Sequence, residues 1–225
     1  MNLLSQPISL RIQKLIDLVP YDVEEIWDIC CDHGIFGRYF LFNSCSHLKQ
    51  VHFLDQVPGI MEKLERVTQS ESNGYQSSFQ LHQGDGRVFT FPMIHGKTLF
   101  CIAGVGSVTI TKILNAISLN KNLDQAYLLI GSHKQTFSLR QTLKALQWKM
   151  IEEKIVSENG NFREIWLLAK VGEEISDVGN PKHENLDTWL AYWSENFERI
   201  REIEKKGGLP EVSSKKLLQA INKFS

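Results

Sequence analysis

The sequence has few cysteines, and their spacing does not suit a structural metal site. The 225-residue chain contains four, which form no CxxC pair and have no histidine at zinc-finger spacing. Free thiols in a reducing compartment are the simplest interpretation of such a pattern. We therefore expect no bound metal.

Long apolar runs are also missing. No stretch approaches the roughly 18 apolar residues of a membrane-spanning helix. An export signal has a charged segment followed by an apolar one, and the first residues of this chain lack that pattern. These absences predict a cytoplasmic protein with no membrane partner.

Neither sign of charge is in excess. The chain has 25 Lys and Arg against 26 Asp and Glu, a formal net charge of −1. A generally basic surface for nucleic acid is therefore excluded, and any RNA contact must come from a local patch. With 42% hydrophobic and 10% aromatic residues, the chain can build a real core in one large domain, with or without a small appendage.

Residues 24–40 contain the pattern of a strand, a turn and a helix. The apolar run Ile26–Ile29 includes Asp28, a polar turn follows at Cys30–Gly34, and an amphipathic stretch comes next. Such a junction presents backbone N–H groups and the positive end of a helix dipole at the carboxyl edge of a sheet, where nucleotide-like ligands bind. An ordinary turn with a polar tip is the alternative.

Four further strands are predicted, at 50–55, 78–87, 97–103 and 126–130. The second strand of the chain ends at Asp55, which lies about twenty residues past the turn and suits the hydroxyls of a ribose. The third runs into Gly84-Asp85-Gly86, either a turn that a ligand approaches closely or a plain Asp-Gly turn.

After the fifth predicted strand the pattern of the sequence changes. Strands predicted at 148–156 and 162–171 flank an Asn-Gly turn and indicate an antiparallel hairpin. The fold class is therefore α/β: a Rossmann-like, seven-stranded mixed sheet with its last strand antiparallel and helices on both faces. We expect a domain at 1–172, a linker at 173–183 and a small C-terminal helical hairpin at 184–225.

A helix is predicted over residues 6–19, with Ser9 near its start and Pro20 after its end. Arg11 and Lys14 lie on its polar side. They belong either to a solvated helix face or to an RNA contact.

Together these segments resemble a known enzyme class, the S-adenosylmethionine-dependent methyltransferases, and more narrowly the bacterial tRNA (adenine-22, N1)-methyltransferase family. The resemblance rests on SLRIQKLIDLVP at 9–20, DICCDHG at 28–34, QGDGR at 83–87 and IAGVGS at 102–107. Cys30 and Ser107 replace glycines of the family motifs. Gly131-Ser132-His133 replaces the usual Gln-Pro-Asn.

The resemblance implies S-adenosyl-L-methionine as cofactor. Its amino-acid end would lie at Asp28 and the following turn, its ribose at Asp55 and its adenine at Asp85. The segment 103–106 would line the space where the donor and the target base meet. The implied cofactor-binding residues are Asp28, Cys30, His33, Gly34, Asp55, Gln56, Gly84, Asp85, Gly86, Ala103, Gly104, Val105 and Gly106.

The implied reaction is methylation of N1 of an adenine in tRNA, by a monomer or weak homodimer. Asp32 is the candidate catalytic residue, because a carboxylate stabilises the cationic product and accepts a proton from the exocyclic amine. Alternatively, Asp32 and His33 only cap the next helix. Arg11 and His133 are the candidate substrate contacts.

Three other functions stay open at this stage. A nicotinamide-dependent oxidoreductase would need GxGxxG at the first turn, which Cys30–Gly34 does not provide. A methyltransferase for a substrate other than tRNA is the second. The third is a degenerate, non-catalytic RNA-binding homologue, suggested by Cys30 in place of glycine.

Overall fold

A seven-stranded sheet forms the centre of the structure, a computed structural model that describes residues 8–43, 47–132, 136–158, 160–180, 186–208, 210 and 212–222. The strands are β1 (Glu25–Ile29), β2 (Gln50–Asp55), β3 (Ser78–Gln83), β4 (Thr98–Ala103), β5 (Ala126–Ser132), β6 (Lys149–Glu158) and β7 (Asn161–Ala169). The helices are α1 (Leu10–Asp17), α2 (Ile35–Phe42), α3 (Pro58–Glu71), α4 (Ser107–Ile117), α5 (Thr136–Ala145), α6 (Leu186–Lys205) and α7 (Ser214–Ile221).

The strand order across the sheet is β3-β2-β1-β4-β5-β7-β6. The first five strands in this order are parallel, and β7 runs antiparallel to both of its neighbours. The predicted mixed sheet with its last strand reversed is thus confirmed. Because β1 lies between β2 and β4, the order reverses there, and open α/β sheets bind ligands at the carboxyl end of such a point.

Helices cover both faces of the sheet, as predicted. Apolar residues of α4 and α5 share one core cluster with the sheet, and those of α1, α2 and α3 share the other. The central strands β4 and β5 are buried along almost their whole length, which explains their continuous apolar sequences. Among the helices of the described ranges, none is long and apolar enough to span a membrane.

The first helix is shorter than the range predicted for it. It begins at Leu10 because Ser9 is its N-cap, with Ser9 Oγ accepting a hydrogen bond from the N–H of Ile12 at 3.3 Å. Leu15 and Ile16 are buried against the sheet. The Ser9 cap and this buried face therefore fix where α1 begins and how it packs on the sheet.

The C-terminal helices α6 and α7 pack against α5 and residues of the sheet. Phe137 of α5, Val178 of the linker and three aromatic residues of α6 belong to one buried cluster. The aromatic residues are Trp189, Tyr192 and Trp193. The helical hairpin thus shares a core with α5.

Gly37 allows α2 to approach the sheet closely. A Cβ at this position would lie 2.4 Å from Phe53 Cε1 and 3.1 Å from Val51 Cγ1, and both of those side chains are 0% exposed. The N–H of Gly37 also donates to Asp28 Oδ2 at 3.0 Å. This one residue therefore fixes the start of α2 against β1 and β2.

We expect Gly37→Ala to lower the free energy of unfolding by about 1–3 kcal/mol, because overpacking outweighs the roughly 1 kcal/mol by which alanine favours a helix. Urea unfolding measures the change. Gly59→Ala in the first turn of α3 is the matched control, since nothing lies within 4 Å of its added Cβ. It should be neutral or stabilising by up to about 1 kcal/mol. Equal effects of the two changes would contradict the close approach of α2.

Candidate active site

A cavity of about 630 Å³ opens beside the carboxyl ends of β1 and β4. Seven of the residues predicted for the site line it. They are Arg11, Asp28, Cys30, Asp32, His33, Ala103 and Gly104. The remaining predicted residues that the structure describes lie outside this lining.

The turn between β1 and α2 has an unusual backbone. Cys30, Asp32 and Gly34 have φ angles of +58°, +49° and +64°. These angles lie in the left-handed region, which residues other than glycine rarely adopt. The N–H groups of Cys30 and Cys31 donate to the carbonyl of Leu54 at 2.8 and 3.3 Å. Backbone strain of this kind concentrates at functional sites.

Asp28 is a buried acid in the wall of the cavity. It is 6% exposed, and its Oδ2 accepts the hydrogen bond from Gly37 N–H. Burial raises the pKa of Asp28 to about 7, and the nearby carboxylates of Asp55 and Asp32 act in the same direction. Asp28 therefore changes protonation near neutral pH.

The cysteines of the cavity are neutral thiols. Burial raises the pKa of Cys30 to about 12, and it also raises the pKa values of Cys31 and Cys101 well above the usual range of a thiol. A thiolate is the nucleophilic form of cysteine. We therefore expect no nucleophilic catalysis by these three residues at neutral pH.

Asp55 holds the turn against the start of α3. Its Oδ2 accepts from the N–H of Asp32 at 3.3 Å, and its Oδ1 accepts from the N–H of Val57 at 3.0 Å. The adjacent Gln56 is exposed. A carboxylate has about four acceptor positions, so both oxygens of Asp55 can still accept from a ligand.

Asp85 is paired with Arg87. The guanidinium lies 2.6 Å from Oδ2, and the Arg87 N–H donates to Oδ1 at 2.9 Å. These hydrogen bonds hold the pKa of Asp85 below its usual value. Gly84 donates its N–H to the Asp55 carbonyl at 2.9 Å, and Gly86 is buried.

The segment after β4 leaves open space beside the backbone. Gly104 has φ +79°, and a Cβ at Gly104 or Gly106 would meet nothing within 4 Å. Val105 packs against the core, whereas Ala103 reaches the cavity. Backbone and small side chains therefore form this side of the site.

Asp32 and His33 project towards solvent at the cavity. Their side chains are 66% and 56% exposed, with His33 Nε2 lying 3.8 Å from Asp32 Oδ1. The N-cap of α2 is Gly34, which makes no side-chain capping hydrogen bond. The alternative in which Asp32 and His33 only cap the helix is therefore wrong.

Position 34 requires glycine for structural reasons. A Cβ there would lie 2.7 Å from Leu64 Cδ1 and 3.1 Å from Phe53 Cε1. Its left-handed conformation and this close packing both require glycine. Gly34 shapes the turn without lining the cavity.

Arg11 lies in the cavity lining instead of on a fully solvated helix face. Its Nε is buried and has no hydrogen-bond partner among the described residues. Its backbone N–H donates to Glu158 Oε1 at 3.4 Å. His133, the other candidate substrate contact, lies outside the described residues.

Part of the lining was not predicted from the sequence. Three apolar residues of α3 that have the spacing of a buried helix face also face the cavity: Ile60, Leu64 and Val67. Lys63 adds a charge on the same helix. The 3.6-residue period identifies a buried face but does not distinguish a core from a cavity wall.

Residues 8–166 match the sequence model of a family described as Methyltransferase domain. Among curated proteins, no sequence matches. Solved structures give further similarities. The m1A22 tRNA methyltransferase TrmK of B. subtilis aligns with a TM-score of 0.67 and 17% identity, over 97% of this chain and 96% of that one.

Two similar structures contain ligands. TrmK of M. capricolum, in complex with S-adenosyl-homocysteine, has a TM-score of 0.72 and 16% identity, covering 97% of this chain and 95% of that chain. Streptococcus pneumoniae Sp1610, in complex with S-adenosyl-L-methionine, has a TM-score of 0.71 and 17% identity, covering 97% and 99%. At these identities the likenesses establish the fold.

We expect the free energy of unfolding of Cys30→Gly to exceed that of Cys30→Ala by about 0.5–1 kcal/mol. The left-handed backbone costs a residue with a Cβ roughly 1–2 kcal/mol, which exceeds the 0.5–1 kcal/mol entropic cost of glycine. Urea unfolding of the two variants measures the difference.

Cys31 provides the matched control, since it lies next in the turn and does not have a positive φ. At that position glycine should be the less stable of the same two substitutions. Alanine more stable than glycine at residue 30 would contradict the left-handed backbone there.

Proposed function

The chain belongs to the methyltransferase-domain family, and from this premise we propose that it is an S-adenosylmethionine-dependent tRNA (adenine-N1)-methyltransferase. The acid-lined cavity at the carboxyl ends of β1 and β4 is the observation that carries the proposal. Its volume falls in the range of about 300–1,000 Å³ found for small-molecule sites.

The residues present fit S-adenosylmethionine. Asp28 and Asp55 give one side of the site a negative potential, which complements a ligand carrying a sulfonium and an ammonium group. Asp55 would accept from the ribose hydroxyls. The left-handed Gly104 leaves room for close approach of the ligand to the backbone.

Arg11 fits the anionic end of the same ligand. Its guanidinium lines the cavity with a buried Nε that has no partner among the described residues. A buried donor of this kind is stabilised by an acceptor, and a carboxylate is the strongest one available on an amino acid. We therefore propose that Arg11 binds the carboxylate of the methyl donor in preference to RNA.

When bound, S-adenosylmethionine supplies an electrophilic methyl group. The protein's task is to align an adenine N1 with that methyl and to exclude competing geometries. Asp32 is exposed at the cavity, where its carboxylate would stabilise the positive charge that develops on the base. It would also accept a proton from the exocyclic amine.

The proposal of tRNA as substrate is supported by a structural likeness that extends over almost the whole chain. The B. subtilis structure named as an m1A22 tRNA methyltransferase covers 97% of it, a share that includes both α1 and the C-terminal hairpin. By contrast, the magnesium protoporphyrin IX methyltransferase of Synechocystis covers 71%. Adenine 22 is accordingly the proposed target.

Incubation with an unmodified tRNA and labelled S-adenosylmethionine should label the RNA, with a primer-extension stop at adenine 22. Asp32→Asn should lower kcat by about 10²–10³-fold, because it removes the charge and the proton acceptor. Its affinity for S-adenosylhomocysteine should stay within about threefold, since the substitution preserves the shape of the side chain.

Asp124→Asn is the control, an exposed acid at the amino end of β5 that should leave both quantities unchanged. Donor binding without any RNA methylation would favour the non-catalytic homologue instead. Methylation of small molecules alone would favour the other substrate class.

Ligand binding should release a proton near pH 6. Asp28 has its pKa raised to about 7, and a cationic ligand beside it favours the ionised form. Affinity for S-adenosylhomocysteine should therefore be highest above pH 7 and fall about tenfold per pH unit below it. Calorimetry in two buffers of different ionisation enthalpy gives the proton count.

Asp28→Asn separates Asp28 from the other groups, since its side-chain oxygen still accepts from Gly37 but no longer titrates. This variant should release no proton and should bind more weakly at pH 8. A pH slope that survives the substitution would assign the proton to another residue.

A further inference from the structure

A buried polar network joins the C-terminal helices to the catalytic region. Arg140 of α5 is 1% exposed and forms ion pairs with Glu153, at 2.7 Å, and with Glu164. The hydroxyl of Tyr192 on α6 donates to Glu164 Oε1. Trp166 donates its indole N–H to Glu164 Oε2 at 3.0 Å. Four elements thus meet at one node: α5, β6, β7 and α6.

The linker before α6 is tied to the same node. The Arg140 guanidinium donates to the carbonyl of Ser176 at 3.1 Å, and the N–H of Asn180 donates to Glu153. The Trp189 indole donates to the carbonyl of Val178 at 2.9 Å. The chain is held on both sides of the start of α6.

The network contains more negative than positive charge. One guanidinium faces two carboxylates, and Glu153, Glu164 and Tyr192 are all less than a tenth exposed. Neutral donors supply the rest of the stabilisation, so each hydrogen bond to Glu164 matters. Removing the Tyr192 hydroxyl leaves that carboxylate short of one donor.

The network also reaches the side of the site where the target base is proposed to enter. Glu164 lies opposite Ser132 in the antiparallel pairing of β7 with the end of β5. Ser132 Oγ lies 3.2 Å from Ser107 Oγ, at the start of α4 next to Gly106. Tyr192 also lies within 3.3 Å of Thr136 at the start of α5. The orientation of α6 is therefore fixed relative to the ends of β4 and β5.

The end of α6 and the start of α7 carry exposed basic side chains that suit an RNA backbone: Arg201, Lys205, Lys206, Lys215 and Lys216. We propose that Tyr192 and Glu164 are positioning residues that set the orientation of α6 and α7, so that a folded RNA held by these helices presents its target base to the cavity. The inference rests on the proposed function. An RNA held at two points reacts only if both contacts fit one geometry, and a displacement of about 1 Å can cost roughly 10²-fold in rate.

Tyr192→Phe tests the proposal, because it keeps the ring contacts with Phe162 and Trp193 and removes only the hydroxyl. We expect kcat for tRNA methylation to fall about tenfold or more. The Kd for tRNA and the Kd for S-adenosylhomocysteine should each stay within about twofold. Amide hydrogen exchange should rise in α6 and stay unchanged in β1 and β4.

Phe162→Leu is the matched control, since it loosens the packing of the same ring without altering the polar network. It should leave kcat within about twofold when assayed well below its unfolding temperature.

Full kcat in Tyr192→Phe would overturn the positioning role while leaving the proposed function intact. A parallel loss of S-adenosylhomocysteine affinity would also overturn it, since the network would then support the fold of the whole domain. If the unaltered protein methylates no tRNA, the proposed function and this inference fall together.

Discussion

The hydrogen bond between buried Asp28 and the N–H of Gly37 is the contact on which the arrangement of the site depends. It joins the end of β1 to the first turns of α2, and it exists only because residue 37 lacks a Cβ and can lie against Phe53. The intervening turn is then short enough that two non-glycine residues adopt left-handed backbone. Burial destabilises the charged form of Asp28, and its pKa is raised for that reason.

The sequence was sufficient to predict the features that repeat along the chain. Strand β2 was predicted with its observed bounds, and the acids Asp28 and Asp55 were placed at strand ends, because a buried strand has a regular apolar pattern and parallel strands share one carboxyl edge. The position of Arg11 could not be predicted in the same way. Whether a polar helix residue meets solvent or a cavity depends on what packs beside the helix.

Contacts between residues distant in the sequence were also beyond prediction. The helical hairpin was expected, but its attachment through Tyr192 and Glu164 joins residues 28 positions apart, and the pairing of Arg11 N–H with Glu158 joins residues 147 apart. No local pattern encodes such pairs. Both ends of the chain nevertheless complete the catalytic region, α1 at the cavity and α6 at the edge formed by β6 and β7.

The pairing of Asp85 with Arg87 bears on the adenine contact that the resemblance implies for Asp85. The peptide N–H and the guanidinium of Arg87 make four hydrogen bonds to Asp85, about the number a carboxylate can accept. An adenine amino group that bound there would therefore displace one of them. Exposed ion pairs of this type contribute little to stability, so the exchange is easy. Until then Arg87 lowers the pKa of Asp85 and keeps it ionised.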